Sequence, residues 1–314
     1  MAIRHITDDT YHQSVLLKEI VSTLEEVRGG DKGWVLDGTL GDAGHTIEFL
    51  RKGFNVVGVD VDPQGLERAR KRVEGEGFDK SRYIFLKGNF RDLENLILKQ
   101  TETAEIKFVG CVLDLGVSSL QLEDPVRGFS FGKSGPIDMR MDPELGVKAI
   151  DLIKLLSKGE LDEIFKTYGE EKYSRSLADA LVRAREVDAL KTTEDLAGVA
   201  EGVYRKFGDR DGRVHPATRM FQALRIVVND ELGAIRDALP QLLERTQKYG
   251  RICIISFHSL EDRIIKNTFR EWESLGKGII LTDKPLTPTE EELSSNPRSR
   301  SAKLRIFEKK GENI

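Results

Sequence analysis

Only two of the 314 residues are cysteine, Cys111 and Cys253. Both lie inside apolar runs, as core side chains rather than a disulfide framework. The five histidines and two cysteines show no zinc-ligand spacing, so no metal site is expected. No run of about 18 apolar residues occurs, which excludes a membrane-spanning helix. The opening MAIRHITDDTYHQ lacks the apolar core of a signal peptide, and a cytoplasmic protein is expected. An excess of positive charge is also missing: 49 Lys and Arg stand against 53 Asp and Glu, for a net charge of −4. That rules out a globally basic nucleic-acid binder but leaves room for a local basic face. The 39% hydrophobic and 32% charged residues that are present suit an ordered chain with a sizeable core. At roughly 100–200 residues per domain, two domains are expected.

The first half alternates apolar runs with helical patterns. WVLD (Trp34 to Asp37), FNVVGVD (ending at Asp60), Tyr83 to Leu86 and FVGCVLDLG (Phe108 to Gly116) read as buried strands. Helical segments fall between them near Thr46 to Lys52, Leu66 to Val73 and Leu93 to Lys99. Continuous apolar strands alternating with helices predict an α/β fold with a doubly wound, mostly parallel sheet covered on both faces. The next such run, RICIISF, starts only at Arg251, far beyond the roughly 30 residues that one strand-helix-strand crossover needs. TRMFQALRIVVNDELGAI, Thr218 to Ile235, is read as the crossover helix. The remainder, residues 125–216, is read as an inserted all-helical domain, leaving 1–124 and 217–314 as the sheet domain. Within the insert, Leu196, Val199, Ala200, Val203, Tyr204 and Phe207 form one amphipathic stripe, and Leu161, Ile164, Phe165 and Tyr168 another. Thr192 and Asp195 have the spacing of a capping box before the first stripe.

The chemistry gathers at the strand ends. The first strand opens into DGTLGDAGH, whose Gly38, Gly41 and Gly44 run G-x-x-G-x-x-G, not the dinucleotide fingerprint G-x-G-x-x-G. Glycines at a strand-to-helix turn admit a ligand to the backbone, and the helix beyond offers free N–H groups. Asp60, about twenty residues on, can accept ribose hydroxyls. This pattern predicts a nucleoside-containing cofactor but does not separate a nicotinamide dinucleotide from S-adenosylmethionine. Phe90, after the third strand, can lie against a purine. Asp37, Asp42, Asp60 and Asp114 make the tips acidic, which repels a second phosphate and suits a cationic sulfonium with its amino group. Asp114 is the best candidate for a catalytic or positioning carboxylate, with a role confined to the cofactor as the alternative. His258, in ISFHSLEDR, reads as a general base or as part of a helix cap made by Ser259 and Asp262.

HQSVLLKE, DGTLGDAGH, VDVDP, LDLGVSS, RGFSF, GPIDMRMD, YGEEK, HPATRMFQALRIVVNDEL, ISFHSLEDR and NPRSRS occur in the order found in the ribosomal RNA small subunit methyltransferase H (MraW) family, which this chain resembles over nearly its whole length. The resemblance implies a Rossmann-like class I methyltransferase fold with S-adenosylmethionine as donor. It also implies methylation of the exocyclic N4 of a cytosine in the decoding (P-site) region of 16S rRNA in the small ribosomal subunit, and a homodimer. It puts the cofactor on Ala43, Gly44, His45, Asp60, Phe90, Asp114 and Gln121. The Ala43 position is commonly glycine in relatives. The Pro-Pro-aromatic loop of DNA amine methyltransferases is absent after Asp114, so that geometry does not carry over.

Two basic stretches are candidates for phosphate contacts: Arg205, Lys206, Arg210, Arg213 and Arg219, and the pair Arg298 and Arg300 in a loop. Phe129 and Phe131 either stack a splayed base or anchor the insert. Two other classes of function stay open on the residues alone: a nicotinamide-dependent oxidoreductase, and a non-catalytic RNA-binding module on a degenerate cofactor fold.

Overall fold

The apolar runs of the first half become parallel strands because each is nearly continuous in Val, Ile, Leu and Phe and is covered on both faces. In the computed structural model, which describes residues 11, 13–28, 32–100, 105–209 and 215–311, the strands are β1 (Trp34–Asp37), β2 (Asn55–Asp60), β3 (Tyr83–Lys87), β4 (Phe108–Asp114), β5 (Thr246–Ser256), β6 (Gly278–Ile280) and β7 (Lys303–Lys309). They form one sheet in the order β3-β2-β1-β4-β5-β7-β6. The first five strands of that order are parallel, and β7 runs antiparallel to both β5 and β6. The doubly wound, mostly parallel sheet is thus as expected. The antiparallel pair at its far edge is an addition that the sequence reading did not contain.

Successive strands step outward from β1 in one direction and from β4 in the other, so the order reverses between β1 and β4. In open sheets of this kind ligands bind beyond the carboxyl ends of the strands at that reversal. Asp37 and Asp114 are the last residues of β1 and β4.

The chain divides into two compact units, Met1–Gly116 with Ala234–Ile314, and Val117–Gly233. The first holds the sheet with helices α1 (Leu17–Glu25), α2 (Gly44–Arg51), α3 (Pro63–Gly75) and α4 (Leu93–Gln100). Its core includes Leu16, Ile20, Val35, Phe49, Val56 and Ile255, all essentially inaccessible. The second unit is helical: α5 (Ser119–Glu123), α6 (Ala149–Leu155), α7 (Lys158–Gly169), α8 (Ser174–Glu186), α9 (Thr193–Lys206) and α10 (Thr218–Asn229). Its separate core takes Leu161 and Phe165 from α7, Leu177 and Leu181 from α8, and Leu196 and Ala200 from α9. The capping box expected before α9 is present: Thr192 Oγ1 accepts from Asp195 N at 3.2 Å, and Asp195 Oδ2 accepts from Thr192 N at 2.8 Å.

The single crossover helix read over Thr218 to Ile235 is corrected. Asp230 takes a left-handed conformation (φ 46°), ending α10 at Asn229, and α11 (Glu231–Arg245) starts immediately after it. Asp tolerates this conformation better than most residues, which makes it an acceptable helix stop. Met220, Phe221, Ala223 and Leu224 of α10 join the core of the helical unit, so α11 alone leads into β5. The unit boundaries therefore fall outside residues 125–216 at both ends. Two helices complete the first unit, α12 (Ser259–Ser274) and α13 (Glu290–Ser295).

Candidate active site at the strand tips

The turn after β1 is held by every neighbouring strand end. Gly38 N donates to Val112 O at 2.9 Å, and a Cβ on Gly38 would lie 2.4 Å from the Leu113 side chain, which would have to move to admit it. Thr39 Oγ1 accepts from Asp114 N at 2.6 Å, and Leu40 N donates to Val59 O at 2.9 Å. Gly41 N donates to Asp60 Oδ2 at 2.8 Å, while Asp62 N donates to Asp60 Oδ1 at 2.9 Å. Ala43 sits at φ 60° with its methyl fully buried, immediately before α2. Phe90, opening a 3-10 turn after β3, places its Cβ 3.7 Å from the space beside Gly38.

Carboxylates dominate the electrostatics. Asp37 is 1% exposed; its Oδ2 accepts from the Thr46 hydroxyl at 2.7 Å, and its Oδ1 has no hydrogen-bond partner among the described residues. Burial pushes the Asp37 carboxyl up and the His45 imidazole down, and their mutual attraction opposes both shifts. His45 Nε2 lies 3.0 Å from Val15 O, which can only accept, so this nitrogen carries the proton. Burial pushes Asp60 up to about 6, against the two backbone amides that favour its ionised form. Asp114 is pushed furthest, to about 8, by burial first and then by the charges of Asp37, Glu261 and Glu292. Asp114 Oδ1 is likewise without a partner among the described residues.

This donor set fits a ligand with a positive centre and ribose hydroxyls. Asp37 Oδ1 and Asp114 Oδ1, at the sheet's reversal point, have no donor among the described residues, and an unsatisfied buried acceptor costs about 1–3 kcal/mol. Asp60 has used one lone-pair site on each oxygen, leaving two for hydroxyl donors.

Ala43, Gly44, His45, Asp60, Phe90 and Asp114 all belong to this unit, and the turn after β1 brings them together at its strand tips. Gln121 lies in the other unit, 4% exposed, closing a capping box with Ser118 in which its Oε1 accepts from Ser118 N at 3.0 Å. The cap expected on Ser259 is one residue earlier. His258 caps α12, its Nδ1 accepting from Glu261 N at 3.4 Å, and Glu261 Oε2 accepts from Phe257 N at 2.8 Å. With Nδ1 committed to the helix end, the structure favours the capping role over a general base. Sequence reasoning missed Glu261 and Glu292, which face Asp114 from distant helices.

Phe129 is buried in the core of the helical unit, so of its two readings anchoring stands and base stacking falls away. Phe131 stacks on His215 with ring centroids 4.4 Å apart. Arg205 and Lys206 are exposed at the end of α9, Arg219 Nη1 donates to Glu170 O at 2.8 Å, and Arg210 and Arg213 lie outside the described residues. Arg298 and Arg300 are exposed on a 3-10 turn, Pro297–Ser301, rather than an open loop.

The model of the MraW methylase family matches residues 9–310. The chain belongs to that family. It is thus an S-adenosylmethionine-dependent methyltransferase, and the oxidoreductase reading falls away. Ribosomal RNA small subunit methyltransferase H of Persephonella marina is 41% identical over 298 residues, covering 94% of this chain and 98% of the relative. The protein of the same name from a Synechococcus species is 45% identical over 302 residues, covering 94% and 91%. A solved rRNA methylase from Streptococcus thermophilus is 11% identical with a TM-score of 0.42, covering 96% of this chain and all of that one. At that distance the likeness carries no functional weight.

Proposed function

We propose that this MraW methylase methylates the exocyclic N4 of a cytosine in the decoding region of 16S rRNA, within the small ribosomal subunit. The observation that carries the reading is Asp114: a carboxyl at the tip of β4 with one free oxygen and a pKa lifted to about 8. S-adenosylmethionine, when bound, supplies a methyl group made electrophilic by its sulfonium. Cytosine N4 is a poor nucleophile because its lone pair is delocalised into the ring, so the protein has to position it and accept the proton that it sheds. A proton acceptor works best with a pKa near the working pH, and Asp114 lies close to it. A cation at the acidic tips favours the ionised, accepting form of Asp114.

Ala43, Gly44, His45, Asp60, Phe90 and Gln121 are proposed with Asp114 as cofactor contacts. Asp60 would take the ribose hydroxyls, and Phe90 would lie along the adenine. For the RNA, Phe207 offers an open ring: it is 49% exposed, stacked on Tyr173 at 4.4 Å, and next to the exposed Arg205 and Lys206. An aromatic face flanked by cations suits an unstacked base and its phosphates.

The test is transfer of labelled methyl to small subunits from cells lacking the enzyme, followed by nucleoside mass analysis. Label in N4-methylcytidine is expected. Label in another nucleoside overturns the N4 reading, and binding of both ligands without label transfer would leave a non-catalytic RNA binder.

A further inference from the structure

The segment before α1 lies over the cofactor turn. Val15 O receives the His45 ring proton at 3.0 Å. Ser14 Oγ occupies the space beside Gly44, where a Cβ would come within 2.0 Å of it. The guanidiniums of Arg68 and Arg72 both lie against the ring of Tyr11, 4.9 and 4.3 Å from its centroid. Those same arginines hold the turn itself, through Asp42 Oδ1 at 2.9 Å and Asp42 O at 2.7 Å.

This strap is itself bent. Leu16 adopts φ 51°, ψ 34°, a left-handed conformation unfavourable to a residue with a Cβ, with its side chain fully buried. What holds the bend comes from the other end of the chain. Glu292, on α13, accepts from Leu16 N at 2.8 Å, and Asn296, in the turn after α13, donates its Nδ2 to Gln13 O at 3.1 Å. Glu292 is also one of the charges that raise Asp114.

We infer that Glu292 is a positioning residue for the cofactor: by fixing the left-handed bend at Leu16 it presses Ser14 and Val15 onto Gly44 and His45 and so sets the shape of the turn. Asn296 assists from the turn that follows α13, which ties the NPRSRS turn mechanically to the cofactor turn. The inference rests on the reading that this turn holds S-adenosylmethionine. What the bend needs from Glu292 is an acceptor oxygen, not a charge. Glu292→Gln keeps such an oxygen, whereas Glu292→Ala removes it.

The full-length chain and its variants are titrated calorimetrically with S-adenosylmethionine, and exchange of the Leu16 amide is followed without ligand. Glu292→Ala is expected to weaken binding about three- to tenfold, the scale of one neutral hydrogen bond, and to speed Leu16 exchange. Glu292→Gln should stay within about twofold of wild type in affinity, and Asn296→Ala, at a half-buried position outside the main cores, should lose about two- to fourfold. Folded Glu292→Ala with wild-type affinity overturns the inference. If Glu292→Ala does not fold, wild-type affinity in Asn296→Ala, or a Glu292→Gln loss matching that of Asp60→Ala, overturns it instead. A wild-type chain that takes up no S-adenosylmethionine overturns the cofactor reading itself, and with it any positioning role.

Discussion

The amide of Gly41 donates to the carboxylate of Asp60 across 2.8 Å, tying the turn after β1 to the tip of β2. Asp60 also accepts from Asp62 N, just before α3. One carboxylate therefore shapes the turn and faces the proposed ribose position. Asp60→Ala should lose affinity for S-adenosylmethionine by about tenfold or more and also lower the unfolding midpoint, since hydrogen bonds to a charged group contribute about 1.5–3 kcal/mol. Asp60→Asn, with a single acceptor oxygen for two amides, should fall between. Calorimetric titration beside thermal unfolding separates the two effects, and unchanged affinity in Asp60→Ala would remove it from the site.

Asp114 makes stability depend on pH. Its folded pKa of about 8 lies above the unfolded value of 3.8, so between those values the folded chain holds a proton that the unfolded chain has lost. Stability is then fully present below about pH 4 for this group and falls as pH rises to about 8, by at most about 1.4 kcal/mol per pH unit. Asp60, lifted to about 6, adds a slope of the same sign between about pH 4 and 6. In Asp114→Asn, which keeps the shape and cannot titrate, the ligand-free chain should lose the slope between pH 6 and 8 in urea unfolding. Methyl transfer by the wild type should climb through the titration of Asp114. A rate flat from pH 6 to 9 would leave Asp114 a cofactor ligand and not the proton acceptor.

Ala43 holds two opposed effects. Its φ of 60° costs about 1–2 kcal/mol in a residue with a Cβ, while its buried methyl contributes about 0.8 kcal/mol and glycine would add about 0.5–1 kcal/mol of backbone entropy loss. Ala43→Gly should therefore change stability by less than about 1 kcal/mol and leave cofactor affinity intact. A loss above 3 kcal/mol would show that the packing of this methyl holds the turn.

These outcomes also explain what could be read from the sequence. The turn from Asp37 to His45 was legible because glycines and acids at the end of an apolar run have few other uses. The strand β7 was not: Arg305 and Glu308 make KLRIFEK look half exposed, yet both are buried, Arg305 against Asp262 at 2.6 Å and Glu308 against Arg251 at 3.0 Å. The break at Asp230 was hidden because the apolar periodicity of α10 runs on into α11. The cap of α12 was misplaced by one residue because Ser259 belongs to a strong capping type and His258 does not. The strap was beyond reach, since Leu16 and Glu292 are 276 residues apart and neither carries a local signal of the other.

Phe207 gives a test of RNA contact confined to the helical unit. Its ring lies parallel to Tyr173 within 4°, and stacking a base on its open face is worth about 1–3 kcal/mol. Phe207→Ala should weaken binding of a single-stranded oligoribonucleotide by roughly 5- to 150-fold on that scale, with S-adenosylmethionine affinity unchanged and Phe207→Trp restoring it. Fluorescence anisotropy reads the change; equal binding by Phe207→Ala places base stacking elsewhere.

The separate cores dictate where the chain can be cut. The sheet unit keeps Asp37, Asp60, Phe90 and Asp114, and its core cluster around Leu16, Val35, Phe49, Val56 and Ile255 draws on none of the described residues between Val117 and Gly233. Joining Gly116 to Ala234 through a short Gly/Ser linker should give a folded chain that still binds S-adenosylmethionine and that methylates no small subunits because the cytosine is no longer positioned. Joining Glu123 to Ala217 should behave worse. That chain keeps α10 but deletes α7, leaving Met220, Phe221 and Leu224 without the Leu161 and Phe165 side that buries them. The three exposed side chains forfeit about 1.5–3 kcal/mol each and present a sticky helix face, so aggregation is expected. Light scattering, circular dichroism and calorimetry on both chains decide the matter. A monodisperse Glu123–Ala217 chain beside an aggregated Gly116–Ala234 chain would show that α10 belongs with the sheet after all, and methylation by either at the wild-type rate would show that the helical unit does not recognise the RNA.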